Sequence, residues 1–218
     1  MPEDKSWLYP IALDLRGRRC LVVGGGKVAL RKVERLLECG AEVTLVAPEA
    51  EAGLCGLAGG TRLLWRKKPY QASDLEGAFL VVGATDDEQT NRVISQEARA
   101  RGVLVNIVDR PELCDFHVPA VVRRGRVAIA ISTGGASPAL AKRLREKLEA
   151  TLGPEYSELA ELLHRLRAEA SAHGLKGPEA ARVWQRILDS DVLELLAAGR
   201  REEAEARARA CFTSPRSE

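Results

Sequence analysis

The stretch CLVVGGGKVALRKVERLLECG, residues 20–40, decides the fold. It opens with an unbroken apolar run from Cys20 to Val23, the pattern of a strand buried on both faces. From Lys27 onward the apolar residues fall at 28, 29, 33, 36 and 37, the spacing of one helix face, and the pattern stops at Gly40. Between strand and helix stand Gly24, Gly25 and Gly26. Taken as Gly24-x-Gly26-x-x-Ala29, the turn fits the dinucleotide fingerprint with alanine in the third place. Glycine lets the backbone turn tightly and come close to a pyrophosphate. The helix start at Lys27 and Val28 then offers N–H donors and a partial positive charge. The plainer reading, a glycine turn needed only for close helix–strand packing, accounts for the glycines but not for their position in the first β-α unit.

The same alternation continues outward. EVTLVAP (42–48) reads as a second strand stopped by Pro48, TRLLW (61–65) as a third, AFLVVGAT (78–85) as a fourth and VLVNIVD (103–109) as a fifth. DEQTNRVISQEARARG (87–102) has helical spacing. Strands apolar on both faces that alternate with helices imply a parallel sheet covered on both sides, a doubly wound α/β domain of Rossmann type. In such a sheet the second strand should end near an acid that binds the adenine ribose. Ala47 and Pro48 occupy that place and Glu49 follows, with no arginine or lysine in the turn. NAD is therefore favoured over NADP, although Glu49 suits the start of the next helix equally well. At the end of the fourth strand, Gly83 and Ala84 are small enough for close approach to a cofactor, and Thr85 can hydrogen-bond. Asp86 or Asp87 would also serve as the cap of the following helix.

After residue 112 the pattern changes. PAVVRRGRVAIAIST (119–133) reads as a hairpin around Arg124-Gly125, and Ser137-Pro138 is a helix start. From Pro154 the chain reads as helices separated by Gly, Pro or Asp, with TSPRSE as a frayed end.

Composition narrows the possibilities. Hydrophobic residues make up 45% and charged residues 29%, and the formal net charge is +2, so neither nucleic acid nor a membrane surface is demanded as partner. No apolar run reaches the roughly 18 residues of a membrane helix, and MPEDKSWLYP lacks the charged-then-apolar pattern of a signal peptide, so a cytoplasmic protein is expected. Five cysteines without a CxxC pair argue against a disulfide framework or structural zinc. NIVDRPELCDFHVPA (106–120) gathers Asp109, Cys114, Asp115 and His117. Cys114 and Asp115 point to opposite sides of an extended chain, however, and the spacing fits no standard motif, so no stable metal site is expected. His164 and His173 read as surface residues of the helical tail.

GGGKVALRK, ATDD followed by Asn91, VNIVDRPELCDFHVPA and VAIAISTGGASPALAKRLREKLE together resemble the precorrin-2 dehydrogenases of sirohaem biosynthesis. The resemblance covers residues 8–152 closely and the helical tail loosely, and its specific part is the run from 105 to 148. It implies oxidation of precorrin-2, a reduced tetrapyrrole polycarboxylate, to sirohydrochlorin with NAD+ as hydride acceptor. Some members also insert Fe2+ as a sirohydrochlorin ferrochelatase, and some are fused ahead of a methyltransferase, which is not expected here. It implies a Rossmann domain at 1–112, a dimerisation and substrate region at 113–152, a helical domain at 153–218, and a homodimer formed through the part after 112. The family's candidate catalytic aspartate falls on Asp109, at the end of the fifth strand, where a turn-capping role before Pro111 is the alternative. Asn106 on the same strand would be counted with the substrate-binding residues, or would bind cofactor or backbone. STGG (132–135) matches a family segment associated with the substrate, placing Ser132, Thr133 and Gly134 there or in a structural turn. Arg123, Arg124, Arg126, Lys142, Arg143 and Arg145 would suit substrate carboxylates or a solvated face. A non-catalytic NAD-sensing module is the competing functional class. A repressor of that kind would carry a DNA-reading helix-turn-helix, which is not expected before the first strand.

Overall fold

The computed structural model describes residues 8–58, 60–172 and 174–213. His173 and most of the TSPRSE end lie outside them. Five parallel strands form one sheet: β1 (Arg19–Val23), β2 (Glu42–Val46), β3 (Leu63–Arg66), β4 (Leu80–Gly83) and β5 (Leu104–Ile107), in the order β3-β2-β1-β4-β5. The order reverses between β1 and β4, which opens the crevice of a doubly wound sheet at their carboxyl ends.

The period-2 alternation of β1 divides the core. Cys20 and Val22 face one side with Ala29 and Val33 of α1 (Lys27–Glu38) and Leu54 of α2 (Ala52–Leu57). Leu21 and Val23 face the other with Ile94 and Ala98 of α3 (Glu88–Ala100). Ala29, third in the fingerprint, is completely buried, as close helix–sheet packing requires.

Strands β2 to β5 are shorter than the apolar runs predict, whereas β1 spans its run in full. The fourth run, 78–85, yields only Leu80–Gly83, and the fifth stops at Ile107 rather than Asp109. The ends of those runs serve as crevice rim, where the backbone leaves the ladder. Coverage of the second face is also incomplete. The β3–β4 crossover is a 3-10 turn, Ala72–Leu75, built around the buried Asp74. It is too short to cover β2 and β3, so Thr44 is half-exposed and Leu64 is exposed on that side.

The chain divides into two compact units, Met1–Val118 and Pro119–Glu218. The second contains the antiparallel hairpin β6 (Ala120–Arg124) and β7 (Val127–Ile131), turning at Gly125 with φ +56°. It continues with α4 (Pro138–Thr151), α5 (Glu155–Ala172), α6 (Gly177–Leu188), α7 (Val192–Ala197) and α8 (Arg201–Thr213). The last four helices share a core that includes Leu162, Leu166, Ile187 and Leu195.

Candidate functional site

The three glycines do different work. Gly24 has φ +119°, and a Cβ there would strike the backbone carbonyl of Ala84. At Gly25 it would strike the carbonyl of Glu49. Hydrogen bonds hold these close approaches: Gly24 N–H donates to Val46 O (3.0 Å), Ala84 N–H to Val23 O (2.7 Å) and Glu51 N–H to Gly25 O (2.9 Å). At Gly26 a Cβ would meet nothing within 4 Å. Gly26 thus leaves open space in front of α1, whose first turn has no side-chain cap and no acidic residue. Gly26 and Lys27 are exposed and Val28 is half-buried. The N–H groups of that turn lack intrahelical acceptors, so the cradle fits a dinucleotide pyrophosphate.

On the rim, the Thr85 hydroxyl accepts from Asp87 N–H at 3.2 Å, and Asp87 rather than Asp86 caps α3 through Gln89 N–H (3.1 Å) and the Thr90 hydroxyl. Asp86 is left exposed. The Asn91 amide donates to Thr85 O at 2.9 Å, fixing the rim from beneath, while its buried Oδ1 has no partner among the described residues. Pro48 and Glu49 are exposed beyond β2.

Asp109 has φ +59° and is the only non-glycine residue with positive φ among the described residues. Val108 N–H donates to Gly83 O at 2.9 Å, so Asp109 follows directly from a link to the carboxyl end of β4, one residue from Ala84. The loop beyond it is pinned from several sides. Ser95 donates to Leu113 O (2.9 Å), Arg99 to Asp115 (2.8 Å), and Asp115 N–H to Val105 O (2.8 Å). Cys114 Sγ accepts from Ile107 N–H at 3.1 Å and lies 3.2 Å from the carbonyls of Ile107 and Arg110. Burial pushes its thiol pKa up. Asn106 is buried, and its amide donates to Phe116 O (2.9 Å), the backbone option among its predicted roles. His117 and His164 are exposed. Among the described residues no group of three or more His, Cys, Asp or Glu side chains gathers to hold a metal.

One half-buried cation near this loop escaped the sequence reading. Lys32 on α1 has its pKa lowered by burial first and by Arg31 second, with Asp109 among the groups that oppose the shift. Its position five residues into the helix gives no sequence signal, because the facing loop comes from 77 residues further along.

In the second unit, the Thr133 hydroxyl accepts from Ser137 N–H and lies within bonding distance of Ser137 O, both at 3.2 Å, so it is engaged inside its own turn. Ser132 is exposed and accepts from Gly134 N–H at 3.2 Å, with Gly134 at φ +60°. Ser137 caps α4 through Leu140 N–H, as predicted. The basic residues separate into distinct groups. Arg124 donates to the carbonyls of Leu152 (2.7 Å) and Glu149 (2.9 Å), closing the end of α4. Arg126 pairs with Glu161, Arg145 with Glu149, and Lys142 loosely with Glu146. Arg123 and Arg143 are exposed with no carboxylate partner among the described residues.

Comparison with known proteins gives three family models in succession: an NAD(P)-binding model over residues 11–120, a sirohaem biosynthesis protein central model over 124–151, and a sirohaem synthase dimerisation region over 155–211. The siroheme synthase of Methylococcus capsulatus is 44% identical over 197 residues, covering 90% of this chain and 41% of the relative. That of Nitrosococcus oceani is 40% identical, with 90% and 42% covered. The chain thus spans about two fifths of the length of these curated relatives. Among solved structures, SirC, a precorrin-2 dehydrogenase, aligns with a TM-score of 0.78 at 29% identity, over 93% of this chain and 100% of that one.

Proposed function

Because the chain belongs to the precorrin-2 dehydrogenase family of sirohaem biosynthesis, we propose that it oxidises precorrin-2 to sirohydrochlorin, with NAD+ held by residues 24–28 and the rim at 84–86. Pro48 and Glu49 meet the adenosine end. The bound dinucleotide supplies the two-electron acceptor. The chain's own residues orient the substrate and manage the proton that leaves with the hydride equivalent. Asp109 takes that proton. The observation that carries this reading is the left-handed backbone of Asp109 at the mouth of the crevice, tied through Val108 to β4. Such a conformation persists only where the surroundings hold it, and such positions cluster at working sites.

Ser132, Thr133 and Gly134 meet the macrocycle, with Ser132 the exposed hydroxyl of the set. Arg123 and Arg143, the two cations without a carboxylate partner, suit substrate carboxylates. The functional protein is a homodimer, in keeping with the dimerisation region matched over 155–211. Fe2+ insertion is the finer reading of the same base, since a macrocycle sheds its inner N–H protons as iron enters. Iron would then arrive as a substrate.

The test is anaerobic incubation with precorrin-2 and NAD+, followed by NADH absorbance. Asp109→Ala should bind NAD+ as the parent does and lose turnover by about 100-fold or more, the range of a general base. Full turnover in that variant removes Asp109 from the mechanism. NAD+ binding without NADH formation by the parent favours the sensing module instead. Adding Fe2+ or Co2+ to the same incubation reads out metal insertion from the absorbance of the metallated product.

A further inference from the structure

The turn after β2 contains Ala47, Pro48, Glu49, Ala50 and Glu51, and so brings no cation to the adenosine end of the crevice. The neighbouring strand does. β3 pairs with β2 in parallel, with Val46 opposite Arg66. Ala47 is held on both sides by β3: its N–H donates to Arg66 O at 3.3 Å, and its carbonyl accepts from the Trp65 indole N–H at 3.0 Å. The three cations at the end of β3 and in the turn just after it, Arg66, Lys67 and Lys68, therefore stand beside the residue that begins the β2 turn.

Two of the three are committed elsewhere. Arg66 and Lys68 lie 3.0 Å and 2.7 Å from the carboxylate of Asp74, which is 1% exposed. Lys67 is exposed and has no carboxylate partner among the described residues. Its ammonium lies 5.8 Å from the centre of the Trp65 ring, whose indole is itself anchored to Ala47. A cation held against an aromatic face keeps its outer side available to an anion. In a doubly wound sheet the ribose of the adenosine lies at the carboxyl end of β2, where an acid selects a 2′-hydroxyl and a basic group accepts a 2′-phosphate. Here both chemistries are present, the acid at Glu49 on β2's own turn and the base at Lys67 from the next strand.

We propose that Lys67, held over Trp65 at the carboxyl end of β3, accepts the ribose 2′-phosphate, so that the chain takes NADP+ as well as NAD+. This rests on the reading that the glycine loop holds a dinucleotide. Glu49 acts in the opposite sense, favouring free hydroxyls and repelling the phosphate. Cofactor preference is then a balance between two exposed side chains, adjustable in either direction without touching the glycine cradle.

Calorimetric titration of the full chain with NAD+ and NADP+ tests it. The parent should bind both. Lys67→Gln should weaken NADP+ about tenfold, the loss of one charge-assisted contact, and leave NAD+ within about twofold. Glu49→Gln should strengthen NADP+ relative to NAD+. Raising the salt concentration should erode NADP+ binding more than NAD+ binding in the parent and erase that difference in Lys67→Gln. Binding of NAD+ but not NADP+ by the parent overturns the proposal and leaves the glycine-loop reading intact, as does an equal loss of both cofactors in Lys67→Gln. Failure of the parent to bind either dinucleotide overturns both.

Discussion

Asp109 shows how much a residue's chemistry depends on where the chain puts it. Its identity and its place after an apolar run marked it in the sequence, but its backbone conformation did not. The strand ends two residues earlier, and Asp109 sits at φ +59° in the turn. Aspartate and asparagine tolerate that region better than other side chains, because a short polar group can bond locally. Backbone and carboxylate can therefore be separated by substitution. Asp109→Asn and Asp109→Gly should melt near the parent, whereas Asp109→Ala should lose about 1 kcal/mol because it gains no local bond to offset the left-handed strain. All three should lose turnover. Thermal melts alongside NADH formation check this, and a parent-like rate in Asp109→Asn would show that the position matters for shape alone. Cys114 carries the opposite lesson. Its residue type and acidic neighbours suit a metal ligand, but its spacing fits no standard motif. Its actual role, closing the loop onto Ile107 and Arg110, depends on a convergence that linear spacing does not encode.

The turn between β1 and α1 was the most legible element, because glycine at fixed offsets after a strand has few physical explanations. The structure refines it by showing which glycine does what. Gly24→Ala would meet the Ala84 carbonyl at a φ that alanine resists, and should destabilise the domain by about 2 kcal/mol or more. Gly26→Ala has φ −84° and open space, so it should melt like the parent while the added methyl group obstructs the pyrophosphate and weakens NAD+ by about tenfold or more. Equal NAD+ affinity in folded Gly26→Ala would mean that the cofactor lies elsewhere. The β3–β4 crossover was not legible. ASDL shows no helical period, and its stability comes from Asp74, whose partners Arg66 and Lys68 lie on the preceding strand and turn. Burial raises the Asp74 pKa, but Lys68, the Gln71 N–H and Arg66 together outweigh that and hold it below the usual carboxylate range. A depressed carboxylate contributes stability that is present above its unfolded pKa of about 4 and lost as pH falls through the folded value. Asp74→Asn should accordingly cost about 2 kcal/mol at neutral pH, less than a fully buried pair because both cations are a third exposed. In urea titrations the gap between parent and variant should close as the pH drops below about 4. A gap that persists in acid would assign the effect to packing.

The two units differ in how completely each provides its own core. The first buries both faces of β1 under helices, and its alternating apolar runs announced this in advance. In the second, α5–α8 enclose a core, yet from 119 to 151 only Val122 is buried. α4 has no buried residue, and Leu140 and Leu144, one turn apart, are 50% and 39% exposed. A hairpin and a helix with one buried side chain between them cannot offset their own ordering entropy, and exposed leucines at helical spacing are the usual mark of a protein–protein surface. The sequence alone did not distinguish this from a small self-sufficient layer, because an apolar face has the same spacing whether its cover is intramolecular or a second copy. A second copy is the cover that fits a chain with a matched dimerisation region. Leu140→Glu combined with Leu144→Glu should therefore shift the protein from dimer to monomer in sedimentation experiments. NAD+ affinity should remain, since the cradle at 24–28 belongs entirely to the first unit. Precorrin-2 oxidation should fall with the loss of the dimer, because α4 carries the Ser132–Ser137 turn at its start. A variant that stays dimeric would place the interface on α5–α8 alone. A monomeric variant with undiminished turnover would show that each chain completes its own substrate site.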